Sequence, residues 1–79
     1  MNKNEIFEKI SKIIKKNYGR EEVHINSKLT GTENSLDFES LEIVSLIADV
    51  ENEFDLIIDF DVLFITVSDI VEEVIKLIN

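Results

Sequence analysis

The chain of 79 residues contains no cysteine, no tryptophan and one histidine. Without cysteine there is no disulfide, no thiolate metal ligand and no thiol nucleophile, and the redox compartment is left open. The single His24 has no second histidine and no clear carboxylate cluster beside it in the sequence, so it reads as a loop residue rather than a ligand or a base. No glycine-rich phosphate loop is present, and no nucleophile–base pair stands out. Asp59 with Asp61, and Asp49 with Glu53, lack the fixed oxygen-ligand spacing of a calcium loop and read as solvated carboxylates; no metal site is expected. No apolar run approaches membrane-spanning length. The N-terminal stretch MNKNEIFEKISKII intersperses charges among its apolar residues, unlike a signal peptide. These absences argue against an enzyme and leave a soluble intracellular protein as the default.

Positive charge is the other scarcity. The formal net charge is −9, six of the eight basic residues fall in the first twenty positions, and no Lys or Arg occurs from Leu29 through Ile75. Phosphate binding needs clustered Lys and Arg, so nucleic acid is not an expected partner. The acid block serves solubility through self-repulsion, or offers a docking surface to basic proteins.

Inside that block lies the most patterned stretch, Asp37 to Asp55. Ile43, Leu46, Ile47, Val50 and Phe54 fall on one face of an amphipathic helix. Leu41, Val44 and Ala48 make a second, shorter stripe, flanked by Glu42, Asp49, Glu51, Asn52 and Glu53. One stripe can serve the core while the other looks outward, toward a partner. Ser40, just before the apolar run, is the expected N-cap. Ile43 stands three residues on, so Ser40 does not complete a capping box.

Glu39-Ser40-Leu41, followed by Ile43-Val44, Leu46-Ile47 and Glu51-Asn52-Glu53-Phe54, resembles the signature of the acyl carrier protein family. That family has Asp-Ser-Leu at the start of its second helix and an aliphatic run ending in Glu-Glu-Phe. Phe54 stands at the family's distance from Ser40, whereas Ser35-Leu36, which also reads Ser-Leu, places it wrongly. The resemblance implies that Ser40 carries a covalent 4′-phosphopantetheine arm whose thiol holds acyl groups as thioesters. It implies docking through Glu39, Leu41, Glu42, Val44, Ala48, Asp49 and Glu51. The expected partners are a phosphopantetheinyl transferase and acyl-transfer or acyl-elongation enzymes with basic patches. It further implies a cytoplasmic monomer with no membrane or nucleic-acid partner. Departures are visible: Glu39 replaces the usual Asp, Phe38 a usually small residue, and Ser45 and Asn52 stand where many fatty-acid carriers have Glu. A fatty-acid carrier and a specialised carrier for polyketide-like, lipid-modifying or aminoacyl chemistry both remain open. So does a reading from another class, in which Ser40 is only a cap and the chain is a small acidic helical interaction module without a prosthetic group.

The remaining chain fits an all-α, small four-helix bundle, three main helices plus one short one, in a single domain over 1–79. A first helix is expected from about Asn4, its plausible N-cap, to Asn17. Ile6, Ile10, Ile13 and Ile14 face inward, and Gly19 follows the end. Arg20 to Phe38 reads as a long loop with turn formers at Thr30 to Ser35; the resemblance implies that Val23, Leu29 and Leu36 anchor it. Ile58, Phe60, Val62 and Phe64 alternate with other residues as in a strand, but no partner strand is evident. The resemblance implies a short helix instead, near Asp59 to Phe64. A last helix runs from a Thr66 cap to about Leu77, with Thr66 and Asp69 in a capping-box arrangement. The expected core includes Ile6, Ile10, Ile14, Leu46, Val50, Phe54, Ile70 and Val74.

Overall fold

The computed structural model describes residues 1–31, 35–59 and 61–78. Thr32, Glu33 and Asn34 of the turn-forming stretch, Phe60 and Asn79 lie outside the described residues. Three helices order the chain: α1 (Lys3–Tyr18), α2 (Ser40–Phe54) and α3 (Val67–Ile78). α1 packs against both others, most closely against α3.

The α1 start is set by a reciprocal cap. Asn2 Oδ1 accepts the Glu5 N–H at 2.9 Å, and Glu5 Oε1 accepts the Asn2 N–H at 3.3 Å. The N-cap is therefore Asn2, not Asn4: an acid three residues on closes the box, and Asn4 has Phe7 there. At the other end Gly19 takes φ 69°, and its N–H closes on the Lys15 carbonyl at 3.2 Å. A left-handed residue is needed there, and glycine bears it without a Cβ clash.

Ile6, Ile10 and Ile14 meet Leu46 and Val50 of α2 and Val67, Ile70, Val71 and Val74 of α3 in one core, all fully buried. Val23, Leu29 and Leu36 are buried as the loop anchors, joined by Phe38 and Ile58. Phe54 departs from expectation: its ring is only partly buried, packed on the core margin. The loss of about 3–5 kcal/mol associated with truncating a buried aromatic therefore does not carry over to it in full.

The long loop is tied down by backbone pairing as well as by its aliphatics. Leu29 N–H donates to the Ile65 carbonyl and Val67 N–H to the Ser27 carbonyl, both at 2.9 Å. Leu36 and Phe38 donate to Lys28 and Leu29 at 2.8 and 2.9 Å. These contacts form isolated bridges and no strand among the described residues.

Between Asp55 and Thr66 the described residues contain no helix, so the architecture shown is three-helical. The short helix expected near Asp59 to Phe64 is represented there by one turn. Its bonds are Val62 N–H to the Asp59 carbonyl at 3.2 Å and Asp61 N–H to Asp59 Oδ1 at 3.0 Å. An Asp side chain that caps its own turn competes with helix continuation.

The α3 cap matches its sequence pattern. Asp69 N–H donates to Thr66 Oγ1 at 3.2 Å, while Asp69 Oδ2 accepts the Thr66 N–H at 3.0 Å and the Ile65 N–H at 2.8 Å. These bonds, the Thr66 amide foremost, hold the Asp69 carboxyl below its ordinary value. A depressed carboxyl stabilises the fold above its unfolded pKa of about 3.9, and that share is lost as pH falls through the lower folded value. The melting-temperature gap between wild type and Asp69→Asn should thus be widest near neutrality and close below about pH 4. A gap that stays constant down to pH 3 would contradict the assignment.

α2 ends on Asp55 at φ 52° and ψ 55°, a left-handed cap made by a residue with a Cβ. Its acid also sits at the negative end of the helix dipole, with no basic residue in the last turn. Asp55→Gly should stabilise by about 0.5–1 kcal/mol after allowing for the freer unfolded chain. In a thermal melt that is a rise of a few degrees, and a fall would show that the carboxylate makes a favourable contact.

Candidate functional site

The site is built around the entry to α2. Glu39 is the N-cap, extended at φ −82° and ψ 161°, and its N–H donates to Glu42 Oε1 at 3.0 Å. The first helical bond, Ile43 N–H to the Glu39 carbonyl at 3.0 Å, confirms the register. Ser40 is therefore the first helical residue and not the cap. The reason is spacing: Glu39 has an acid three residues on, and Ser40 has Ile43. The consequence is chemical. The Ser40 side chain is exposed, and its hydroxyl is engaged in no hydrogen bond among the described residues. The amides of Ser40 and Leu41 have no intrahelical acceptor, so the hydroxyl sits beside free N–H donors and the positive end of the helix dipole.

Arg20 holds this entry from behind. Its Nε donates to the Leu36 carbonyl at 2.8 Å, Nη1 to the Tyr18 carbonyl at 2.7 Å, and Nη2 to the Asp37 carbonyl at 2.9 Å. Both terminal nitrogens also face Glu42, at 3.3 Å to Oε2 and 3.2 Å to Oε1, in a fork-to-fork pair. The guanidinium carbon lies 4.5 Å from the centroid of the buried Phe38 ring. The Glu39 amide first, and then Arg20, hold the Glu42 carboxyl below its ordinary value.

A second tie joins α1 to the middle of α2. Tyr18 Oη is 2.7 Å from both Ser45 Oγ and Asp49 Oδ2. The phenol has one proton, and the carboxylate is the stronger acceptor, so the phenol donates to Asp49 and accepts from the Ser45 hydroxyl. Asn17 Nδ2 adds a 3.4 Å contact to the same Asp49 oxygen, and the Tyr18 ring meets Phe38 edge-on at 5.4 Å. Further along, Glu51 Oε2 accepts the Ile58 N–H at 2.7 Å.

The seven residues expected to meet a partner thus divide. Glu39, Leu41, Val44 and Ala48 are exposed, with Leu41 81% and Val44 66% accessible, so the second stripe of α2 does face outward. Glu42, Asp49 and Glu51 are partly covered, and each is bonded within the chain. Beside the stripe runs a groove of about 430 Å³ with Ser40 at its edge. Ile43, Val44, Ile47 and Ala48 of α2 form one wall; Ile58, Val62, Leu63 and Phe64 form the other. Arg20, Tyr18 and Phe38 were not legible as site residues. One signal was available: Phe38 stands where the family pattern has a small residue, and a large ring there needs a neighbour.

Tyr18 is the only tyrosine and the chain has no tryptophan, so its titration can be followed by absorbance. Burial foremost, with the Asp49 hydrogen bond and charge, raises its pKa, partly offset by the Ser45 hydrogen bond. The folded protein should ionise above the value near 10 of the denatured chain. Asp49→Asn should bring the midpoint down; an unchanged midpoint would mean that Tyr18 does not donate to Asp49.

No protein-family model matches the chain. Three curated proteins named acyl carrier protein do, from Lactococcus lactis subsp. cremoris strains MG1363 and SK11 and Lactococcus lactis subsp. lactis strain IL1403. Each is 35% identical over 69 residues, covering 87% of this chain and 92% of the relative. Relatives matched at that identity over nearly their whole length share more than a local motif. The chain belongs to the acyl carrier protein family.

Proposed function

We propose that this protein carries acyl intermediates on a 4′-phosphopantetheine arm attached through a phosphodiester to Ser40. Members of the family are carriers and not enzymes, and nothing in the assignment requires this chain to perform chemistry itself. The observation that carries the reading is the state of Ser40: an exposed hydroxyl in the first turn of α2, released from capping by Glu39. The residues present fit the group. A phosphodiester on Ser40 would lie at the N-terminus of α2, where the free amides and the positive end of the helix favour an anion. When bound, the arm supplies the thiol that the cysteine-free chain lacks, and holds the acyl group as a thioester.

The chain's own residues do the rest. The α2 turn holds the attachment point on a rigid element. The adjoining groove, within the lower range of ligand-sized clefts, offers apolar walls to part of an acyl chain. Leu41, Val44 and Ala48 present an apolar strip with Glu39 at its leading end. That combination suits a phosphopantetheinyl transferase or an acyl-transfer or elongation enzyme with a basic rim, where charge steers and the strip holds. The reading includes a single carrier domain acting as a cytoplasmic monomer, in fatty-acid or specialised acyl or polyketide biosynthesis. No membrane or nucleic-acid partner is part of it. Ser45 bears on the choice of pathway: its hydroxyl is bonded to Tyr18, so it gives partners no acid where many fatty-acid carriers have Glu.

Intact mass after incubation with coenzyme A, Mg²⁺ and a broad-specificity phosphopantetheinyl transferase tests the assignment. Wild type and Ser35→Ala should gain the mass of one arm and Ser40→Ala none. Addition to Ser40→Ala would place the arm elsewhere. No addition to wild type would favour an interaction module without a prosthetic group.

A further inference from the structure

Among the described residues a dense polar cluster centred on Arg20 lies next to Ser40. Arg20 gathers three carbonyls, from Tyr18 at the end of α1 and from Leu36 and Asp37 on the segment leading into α2. Asp37 is held at φ 54°, a conformation that an L-residue resists. It is fixed on both sides, its carbonyl by Arg20 and its N–H by Ser35 Oγ at 3.1 Å. Phe38, 4% exposed, lies against the guanidinium. Glu42, two residues beyond Ser40, closes the arrangement. Ser40 is thus bracketed by groups that one side chain holds.

Glu42 is committed to the same cluster. Its Oε1 accepts from the Glu39 amide and Arg20 Nη2, and its Oε2 from Arg20 Nη1. Turning it toward a cationic partner would break the α2 cap contact and strip the guanidinium of its counter-ion.

We propose that Arg20 is a positioning residue for Ser40. It fixes the backbone entry to α2, and so the direction in which the hydroxyl meets the modifying enzyme. Glu42 acts as its internal counter-ion and not as a docking acid. The inference rests on the carrier reading above. A lysine cannot replace the arginine, because one ammonium cannot span three carbonyls and a carboxylate fork.

The test is a double-mutant cycle on arm transfer from coenzyme A by a phosphopantetheinyl transferase, at low and high ionic strength. Arg20→Gln and Glu42→Gln should each lower kcat/KM about tenfold at both salt concentrations, and the double variant should be no slower than Arg20→Gln. Arg20→Lys should not restore the rate. Ile10→Val, which weakens the core away from the site, should lower the melting temperature and leave kcat/KM unchanged. That separates positioning from general stability. If the Glu42→Gln loss persists in the Arg20→Gln background and shrinks with salt, Glu42 is a docking acid and the proposal falls. Hydrogen exchange reads the clamp without modification. In Arg20→Gln the Leu36 and Phe38 amides should exchange faster while those of Ile10 and Val74 do not, and unchanged exchange at Leu36 and Phe38 overturns it. Wild type that takes no arm would instead defeat the carrier reading, and the exchange result would still decide whether Arg20 holds the α2 entry.

Discussion

One guanidinium joins the end of α1, the last residues of the long loop and the first turn of α2. Only an arginine suits that place. Its donors are fixed in a plane, so a single side chain can satisfy three carbonyls and face a carboxylate while its flat surface rests on a ring. The geometry has a clear dependence on sequence. Phe38 supplies the surface, Glu42 the counter-ion, and the left-handed turn at Asp37 brings its carbonyl within reach. Each element is unfavourable or unremarkable alone. A left-handed Asp is strained, an aromatic before the helix needs cover, and a single ion pair that water still reaches contributes modestly. Together they define how the chain enters α2. A network of this kind is worth more as a constraint on conformation than as a sum of pair energies.

The same economy governs the acids. A chain with net charge −9 has to place carboxylates where repulsion does not oppose folding. Glu5, Glu42 and Asp69 each accept a backbone N–H at a helix start, where a negative charge is favoured. Glu51 accepts a hydrogen bond from a backbone amide of the segment after α2, and Asp49 accepts one from the Tyr18 phenol. Acids that read in sequence as an undifferentiated docking face are thereby sorted. Some stitch the chain together, while Glu39 and the apolar strip of α2 remain open to solvent. Glu42, Asp49 and Glu51 are in this way less free to turn outward than their place in the acid block implies.

Much of the architecture was legible because it is periodic. The three helices and nearly the whole core follow from apolar spacing, as does the outward stripe of Leu41, Val44 and Ala48, whereas the loop anchors Val23, Leu29 and Leu36 have no period and follow from the family resemblance. Ser40 was legible through a motif rather than a period. The caps were harder. Choosing Asn4 over Asn2, or Ser40 over Glu39, turns on which candidate has an acid three residues on, and the residue type alone does not say. Phe54 reads as core from its register, yet it falls at the end of α2, where the bundle covers the ring only in part. Arg20 was illegible for a different reason. Its partners stand up to 22 residues away, and no local pattern encodes an arginine that reaches back across a loop.

The groove beside Ser40 shows how these limits meet function. One wall is α2, whose Leu46 and Val50 are locked into the core. The other, from Ile58 to Phe64, is not helical among the described residues, and although its sequence alternates as in a strand, no strand pairs with it among them. Ile58 anchors this segment in the core, and the Glu51 carboxylate holds the Ile58 amide, so α2 fastens the wall that faces it. Beyond the anchor, Ile57 and Leu63 are 85% and 80% accessible. Large side chains left that open gain nothing for the fold, since burial is what makes an aliphatic stabilising. Leu63 lines the groove beside Ser40, and with the exposed Leu41 and Val44 it gives that side of α2 apolar surface that the core does not use. The inward faces of all three helices close one core, while the outward stripe of α2 and the groove beside Ser40 keep apolar surface in reach of solvent.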